Sequence, residues 1–135
     1  MMVARNYMLH GLEYMVWNGT RGYMPGRKAI RLLAHRRSGV GADRVMVFTG
    51  SGQEPSFRLY GTDGGSLAAG REEYLILARY LRDEGIAVNA AELVRHLGAE
   101  ALRAAGEKLP SFEVRLTESF LAKLRACDEA SSAVA

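Results

Sequence analysis

Phe57 to Ile86 reads F-R-L-Y-G-T-D-G-G-S-L-A-A-G-R-E-E-Y-L-I-L-A-R-Y-L-R-D-E-G-I, and the change of period inside it decides the fold class. Phe57 and Leu59 alternate with Arg58 and Tyr60, the pattern of a half-buried strand. Asp63-Gly64-Gly65 marks a turn, because glycine supplies the positive φ that tight hairpins need. From Gly70 onward the apolar residues fall at helical spacing. Tyr74, Leu77, Ala78 and Leu81 make one predicted face, widened by Leu75 and Ile76, and Gly85 is the predicted stop. Strand, turn, short return and long helix in this order predict an α+β domain.

The flanking sequence extends the pattern. Arg5–His10 and Glu13–Trp17 read as short strands joined at Gly11-Leu12. Asn18–Gly26 is a glycine-rich loop of the kind that carries function on a rigid scaffold. Arg27–Arg37 predicts a basic amphipathic helix with Ile30, Leu33 and Ala34 inward, followed by a turn over Ser38–Asp43 and a strand over Arg44–Phe48. After a loop at Thr49–Pro55 comes the stretch already quoted. Beyond it, Asn89 is an N-cap for a helix over Ala90–Gly106, with Leu93, Val94, Leu97, Ala101 and Leu102 on one face. Pro110 ends that segment. Phe112–Leu116 alternates as a strand, and Thr117 caps a last helix with Phe120, Leu121 and Leu124 inward. The organisation expected is one domain over 1–135: a lobe at 5–86, an extension at 87–127, and a frayed tail at 128–135.

Composition removes several function classes. The chain has 135 residues, 48% of them hydrophobic, which suits one domain with a full core. No apolar run approaches the ~20 residues of a membrane span, and Met1–Leu9 has no signal-like apolar region. The one cysteine, Cys127, excludes an internal disulfide framework and fits a reducing compartment, so a cytoplasmic location is expected. A net charge of +3, with arginines interspersed among acids, gives no nucleic-acid footprint. Metal-ligand spacing, a Ser-His-Asp arrangement and a nucleotide fingerprint are all absent, so neither metal nor cofactor is expected.

Three segments carry a resemblance. Y-G-T-D-G-G-S-L followed by A-R-Y-L-R-D-E-G resembles the diaminopimelate epimerases, in which a strand ending in an Asp-Gly turn leads into the central helix of a domain. His10-Gly11-Leu12 resembles the family's first strand and loop. Arg36–Asp43, R-R-S-G-V-G-A-D, resembles its R-x-G-I-G-A-D segment. The match covers about Tyr7 to Ile86, the N-terminal half of that two-domain family. It implies a curved, mostly antiparallel sheet around a central helix, with the C-terminal helices added.

The departures bear on chemistry. Where the family has a catalytic cysteine opening the central helix, this chain has Gly70, Arg71, Glu72 and Glu73. The family's substrate-binding asparagine corresponds to Gly61. The second domain, with its partner cysteine, has no counterpart. Two-base racemisation is therefore excluded as the expectation. A half-fold with an open site implies a homodimer that rebuilds a two-lobed cleft.

The start of the central helix is the candidate pocket. Free backbone N–H groups and the helix dipole favour an anion there. Gly61, Asp63, Gly64, Gly70, Arg71 and Asn18 are candidate substrate-binding residues, Arg71 as a carboxylate fork. His10, Glu13 and Glu72 are candidate proton-transfer residues. Two alternatives stand beside these roles: Glu72 and Glu73 as first-turn acids that simply favour the helix, and His10 as a histidine bracing a loop. The expected function is a small tailoring enzyme acting on a peptide or amino acid by proton transfer or conjugate addition. Its size and lost cysteines resemble the stand-alone proteins that form lysinoalanine in lanthipeptides of the duramycin and cinnamycin type. The alternatives are a non-catalytic peptide- or amino-acid-binding accessory protein and an atypical epimerase.

Overall fold

A computed structural model describes residues 2–51, 53–104 and 109–133. Among these, six strands and five helices alternate irregularly: β1 Met2–Leu9, β2 Leu12–Asn18, α1 Arg27–Ala34, β3 Arg44–Phe48, β4 Phe57–Tyr60, β5 Ser66–Leu67, α2 Arg71–Asp83, α3 Ala90–Leu97, α4 Ala99–Ala104, β6 Ser111–Leu116 and α5 Glu118–Ala133. The strands form one mixed sheet in the order β5-β4-β3-β2-β1-β6. Only β2 and β3 run parallel, joined by the crossover helix α1, as a parallel pair requires. The other four pairings are antiparallel. The α+β expectation holds.

Alternation along the central strands splits the core into two layers. Met15, Trp17, Val45 and Val47 pack against Ala29, Ile30 and Leu33 of α1 and Leu121 and Leu124 of α5. Tyr14, Val16, Met46 and Phe48 point the other way, onto Ile76, Leu77, Tyr80 and Leu81 of α2 and Leu93 of α3. A strand buried on both faces reads as a continuous apolar run, which is why Y-M-V-W and V-M-V-F are apolar throughout. The sheet is thus covered on both sides, with α2 on one of them.

Two helix ends are built as the sequence indicated. Gly85 takes φ +68°, the Ile86 N–H donates to the Leu81 carbonyl at 2.9 Å, and the Gly85 N–H donates to that of Arg82 at 3.1 Å. This is a Schellman stop. Thr117 Oγ1 accepts from the Phe120 N–H at 3.1 Å and opens α5.

Several expectations are corrected. The inward face of α2 is Glu73, Ile76, Leu77, Tyr80 and Leu81, one residue round from the predicted stripe. Tyr74 is half-buried instead, stacked on His96 with ring centroids 3.8 Å apart. The helix expected over Ala90–Gly106 breaks at Gly98, whose φ of +84° leaves the helical region; positions 105 and 106 lie outside the described residues. The strand of the extension joins the sheet, β6 pairing with β1 from Met2↔Leu116 to Tyr7↔Ser111. No tail begins at Asp128: α5 continues to Ala133, and 134–135 lie outside the described residues. Of the predicted apolar faces of the C-terminal helices, Leu93, Leu97, Leu121 and Leu124 are buried within the chain, whereas Val94 is 37% exposed.

Candidate functional site

The start of α2 lies beside the turn between β1 and β2. Leu9 pairs with Leu12, leaving His10 and Gly11 as a two-residue loop with φ +50° and +78°. Both positive values belong to a type I′ turn, where histidine is an uncommon occupant of the first position. His10 is exposed and faces a cleft of about 420 Å³ shared with Tyr14, Arg44, Leu67, Glu72 and Glu73. Two of the three predicted proton-transfer residues, His10 and Glu72, therefore meet at one concave surface.

Glu73 is its buried member, 8% exposed. One carboxylate oxygen accepts from the Gly70 N–H at 2.8 Å, the back-bond of a capping box. The other accepts from the Tyr14 hydroxyl at 2.9 Å. Burial first, then this carboxylate partner, pushes the Tyr14 phenol well above its ordinary value. Arg44 directs one guanidinium nitrogen to the Asp43 carbonyl at 2.8 Å.

This arrangement changes the expected ligand. The helix start already holds a carboxylate of the chain, with a second, Glu72, next to it. A substrate carboxylate would meet two like charges. An ammonium would meet two opposite ones, against the like charge of Arg44, which is turned to the Asp43 carbonyl.

The remaining predicted residues disperse. Glu13 alternates onto the α1 side of the sheet, 3.7 Å from Arg36, and its N–H donates to Asp43 at 2.9 Å. It does not join His10, because a period-two strand sends positions 13 and 14 to opposite faces. Asp43 braces the end of the turn expected over Ser38–Asp43 and also holds Arg36 at 3.0 Å. Gly61, Asp63 and Gly64 build the β4–β5 turn. Gly64 has φ +79°, and a Cβ there would lie 2.4 Å from the Arg27 carbonyl oxygen, so close packing on α1 explains that glycine. Asp63 accepts from the Gly65 N–H at 2.8 Å. Gly70 is the N-cap of α2, and Arg71 is exposed outside the wall of the cleft. Asn18 lies at the far end of β2, in a different cleft.

Tyr14 and Arg44 were missed by sequence reasoning, and Glu73 was read only as a first-turn acid, a role its capping-box bond fills, and not as a buried member of the site. Glu73 left one signal: it sits three, four and seven positions before Ile76, Leu77 and Tyr80, an acid on the stripe of an amphipathic helix. Tyr14 and Arg44 left none beyond their strands. Among the described residues no group of three or more His, Cys, Asp or Glu is placed to hold a metal ion, and no helix is long and apolar enough to cross a membrane.

In comparison with known proteins, no protein-family model matches this chain, and no curated protein matches its sequence.

Proposed function

We propose that this protein is a small tailoring enzyme that acts on a peptide or amino acid by proton transfer and conjugate addition, on a half-fold resembling one diaminopimelate epimerase lobe. The observation that carries the reading is the meeting of His10 and Glu72 at one cleft, beside a carboxylate fixed by Tyr14 and Gly70. The substrate group that suits it is an amine. The best candidate reaction is lysinoalanine formation in a lanthipeptide precursor.

The chemistry follows from the side chains. A lysine ammonium enters against Glu72, which takes a proton from Nζ. The free amine adds to Cβ of a dehydroalanine, forming the C–N bond as the C=C pair moves to the α-carbon and its carbonyl. His10, as imidazolium, returns a proton to Cα. No atom is lost, so product and substrate are isomers. Holding the two groups together supplies much of the rate. A homodimer belongs to the same proposal, with a second copy excluding water from an open cleft. Light scattering at micromolar concentration that returned the monomer mass would remove that part.

A second reading has its own support. Glu13 and Asn18 lie away from the cleft and Arg71 lies outside its wall, so one of the three expected proton-transfer residues and the expected carboxylate fork are elsewhere. This dispersal favours a non-catalytic peptide- or amino-acid-binding accessory protein. Mass spectrometry in heavy water separates the two. The protein is incubated with a peptide carrying lysine and dehydroalanine, and the product is treated with a thiol. Catalysis adds one deuterium at carbon and removes thiol reactivity. Deuterium with dehydroalanine intact points to an atypical epimerase. Neither change, together with measurable binding, leaves the accessory protein.

A further inference from the structure

The opposite end of α2 opens onto a second cleft, of about 530 Å³. From Glu73 to Glu84 the helix advances about 17 Å, so the two clefts are well separated. This one lies at the carboxyl ends of β2 and β3, where the chain leaves the parallel pair through residues 19–26. Crevices open at such strand ends because the connections diverge there. The loop is anchored: the Gly19 N–H donates to the Phe48 carbonyl at 2.8 Å, the Gly26 N–H to Asp128 at 3.0 Å, and Trp17 Nε1 to the Tyr23 carbonyl at 3.1 Å.

The wall carries both signs of charge. Arg5 is engaged, donating to Glu84 at 2.9 Å and lying 3.5 Å from Glu113. Arg21 and Arg125 line the same cleft and, among the described residues, neither is ion-paired with a carboxylate. Arg125 instead stands 5.6 Å from the centroid of the Tyr23 ring. Asn18 is buried, and its Oδ1 accepts from the Thr20 N–H at 2.9 Å. Asn18 also contacts the Tyr80 hydroxyl, which burial, then Glu84, pushes up to about 12, leaving it a neutral donor.

Charge decides the ligand class. Arg21 makes no ion pair among the described residues, and Arg125, though its charge reaches the Glu118 carboxylate, is in no close ion pair either; together they call for an anion. The acids of the same wall, Glu84, Glu113 and Glu118, repel a dianion such as phosphate. A molecule with a carboxylate and an ammonium a few bonds apart satisfies both. We propose that this cleft binds a zwitterionic small molecule, a free amino acid or a short peptide with both ends free, its carboxylate on Arg21 and Arg125 and its ammonium facing Glu113. The site is separate from the cleft of His10 and Glu72 and does not depend on the chemistry assigned there.

The test is a titration of the full chain followed by amide NMR, with L-alanyl-L-alanine as the probe. Its N-acetyl form, its C-terminal amide and inorganic phosphate are run in parallel. The zwitterion is expected to saturate and to shift the amides of Asn18–Tyr23 and Tyr80–Glu84. Blocking either end weakens binding about tenfold, as does Arg21→Gln. Arg21 is exposed and makes no ion pair among the described residues, so its variant should melt with the wild type. Glu72→Gln, in the other cleft, leaves the affinity unchanged, which separates this proposal from the function above. Phosphate or the N-acetyl peptide binding as tightly as the zwitterion would overturn the ligand class. No saturable shift at those amides, or full affinity in Arg21→Gln, would overturn the site.

Discussion

The two faces of the sheet are built from different chemistry. Against α1 and α5 the buried layer is almost wholly apolar, with Trp17, Met15, Ile30, Leu33 and Leu124 at its centre. Against α2 the layer contains three tyrosines, Tyr7, Tyr14 and Tyr80. Their rings fill the core while their hydroxyls lead outward. Tyr7 donates to Asp83 at 2.8 Å and Tyr14 to Glu73 at 2.9 Å, at opposite ends of α2. Tyrosine suits this task because one end is apolar and the other needs a partner. The α1/α5 face therefore holds the fold, while the α2 face both holds it and presents carboxylates at the two clefts.

The largest test of that contrast is Trp17→Ala. The side chain is 0% exposed, and its removal should cost about 3–5 kcal/mol in chemical denaturation, with no proton-linked component. A loss below about 1 kcal/mol would mean that the α1/α5 layer is not the structural one.

Glu73→Ala acts on the other face through polarity. It leaves the Tyr14 hydroxyl and the Gly70 N–H without their acceptor, a cost of about 1.5–3 kcal/mol. Tyr14→Phe removes one of the same two bonds. The pair should be strongly non-additive in a double-mutant cycle, whereas Trp17→Ala and Glu73→Ala, on opposite faces, should add. Additive losses from Tyr14→Phe and Glu73→Ala would refute the coupling.

Alkaline pH should address mainly the α2 face. The Tyr80 phenol is raised to about 12, and those of Tyr7 and Tyr14 are raised further, burial being the first cause in each. A folded-state value above the unfolded value of about 10 means stability that is complete below about pH 10. It is lost as pH rises through the folded value. Tyrosinate absorbance should lag behind that of an exposed tyrosine and then appear together with unfolding. Half-buried Tyr23, on the other layer, is raised too and adds to the same transition. Full tyrosinate absorbance in a still-folded chain near pH 10 would contradict the buried hydroxyl network.

Local pattern carried much of this fold. Arg44–Phe48, the start of α2 and the Gly85 stop lie where period and punctuation put them, because each is fixed by residues within a few positions. The parts that escaped are fixed at long range. Asp128 meets the Tyr23 hydroxyl across 105 positions of sequence, so nothing near 128 marked it as other than a tail. Pairing of β6 with β1 joins the two ends of the chain in the same way. For the site, period-two alternation separates Glu13 from Tyr14 but does not say which face receives α2. The stripe of α2 was misjudged for a physical reason: Glu73 occupies a core position, and an acid there is tolerated only because Tyr14 and Gly70 satisfy it.

The smallest effect on stability is expected at His10, and it is the most informative about function. The residue stands at φ +50° in a type I′ turn followed by Gly11. Asn-Gly is the preferred pair for that turn, since asparagine tolerates the left-handed region that histidine enters at some cost. His10→Asn should therefore keep the fold and raise stability by up to about 0.5 kcal/mol, while removing the titratable imidazole. If His10 returns the proton to Cα, this variant loses deuterium incorporation in the heavy-water assay, and the high-pH limb of any rate profile disappears with it. If His10 only closes the hairpin, activity is retained and the pH profile does not move. A variant that conserves the turn and deletes the acid can separate these roles, whereas an alanine at φ +50° would disturb both.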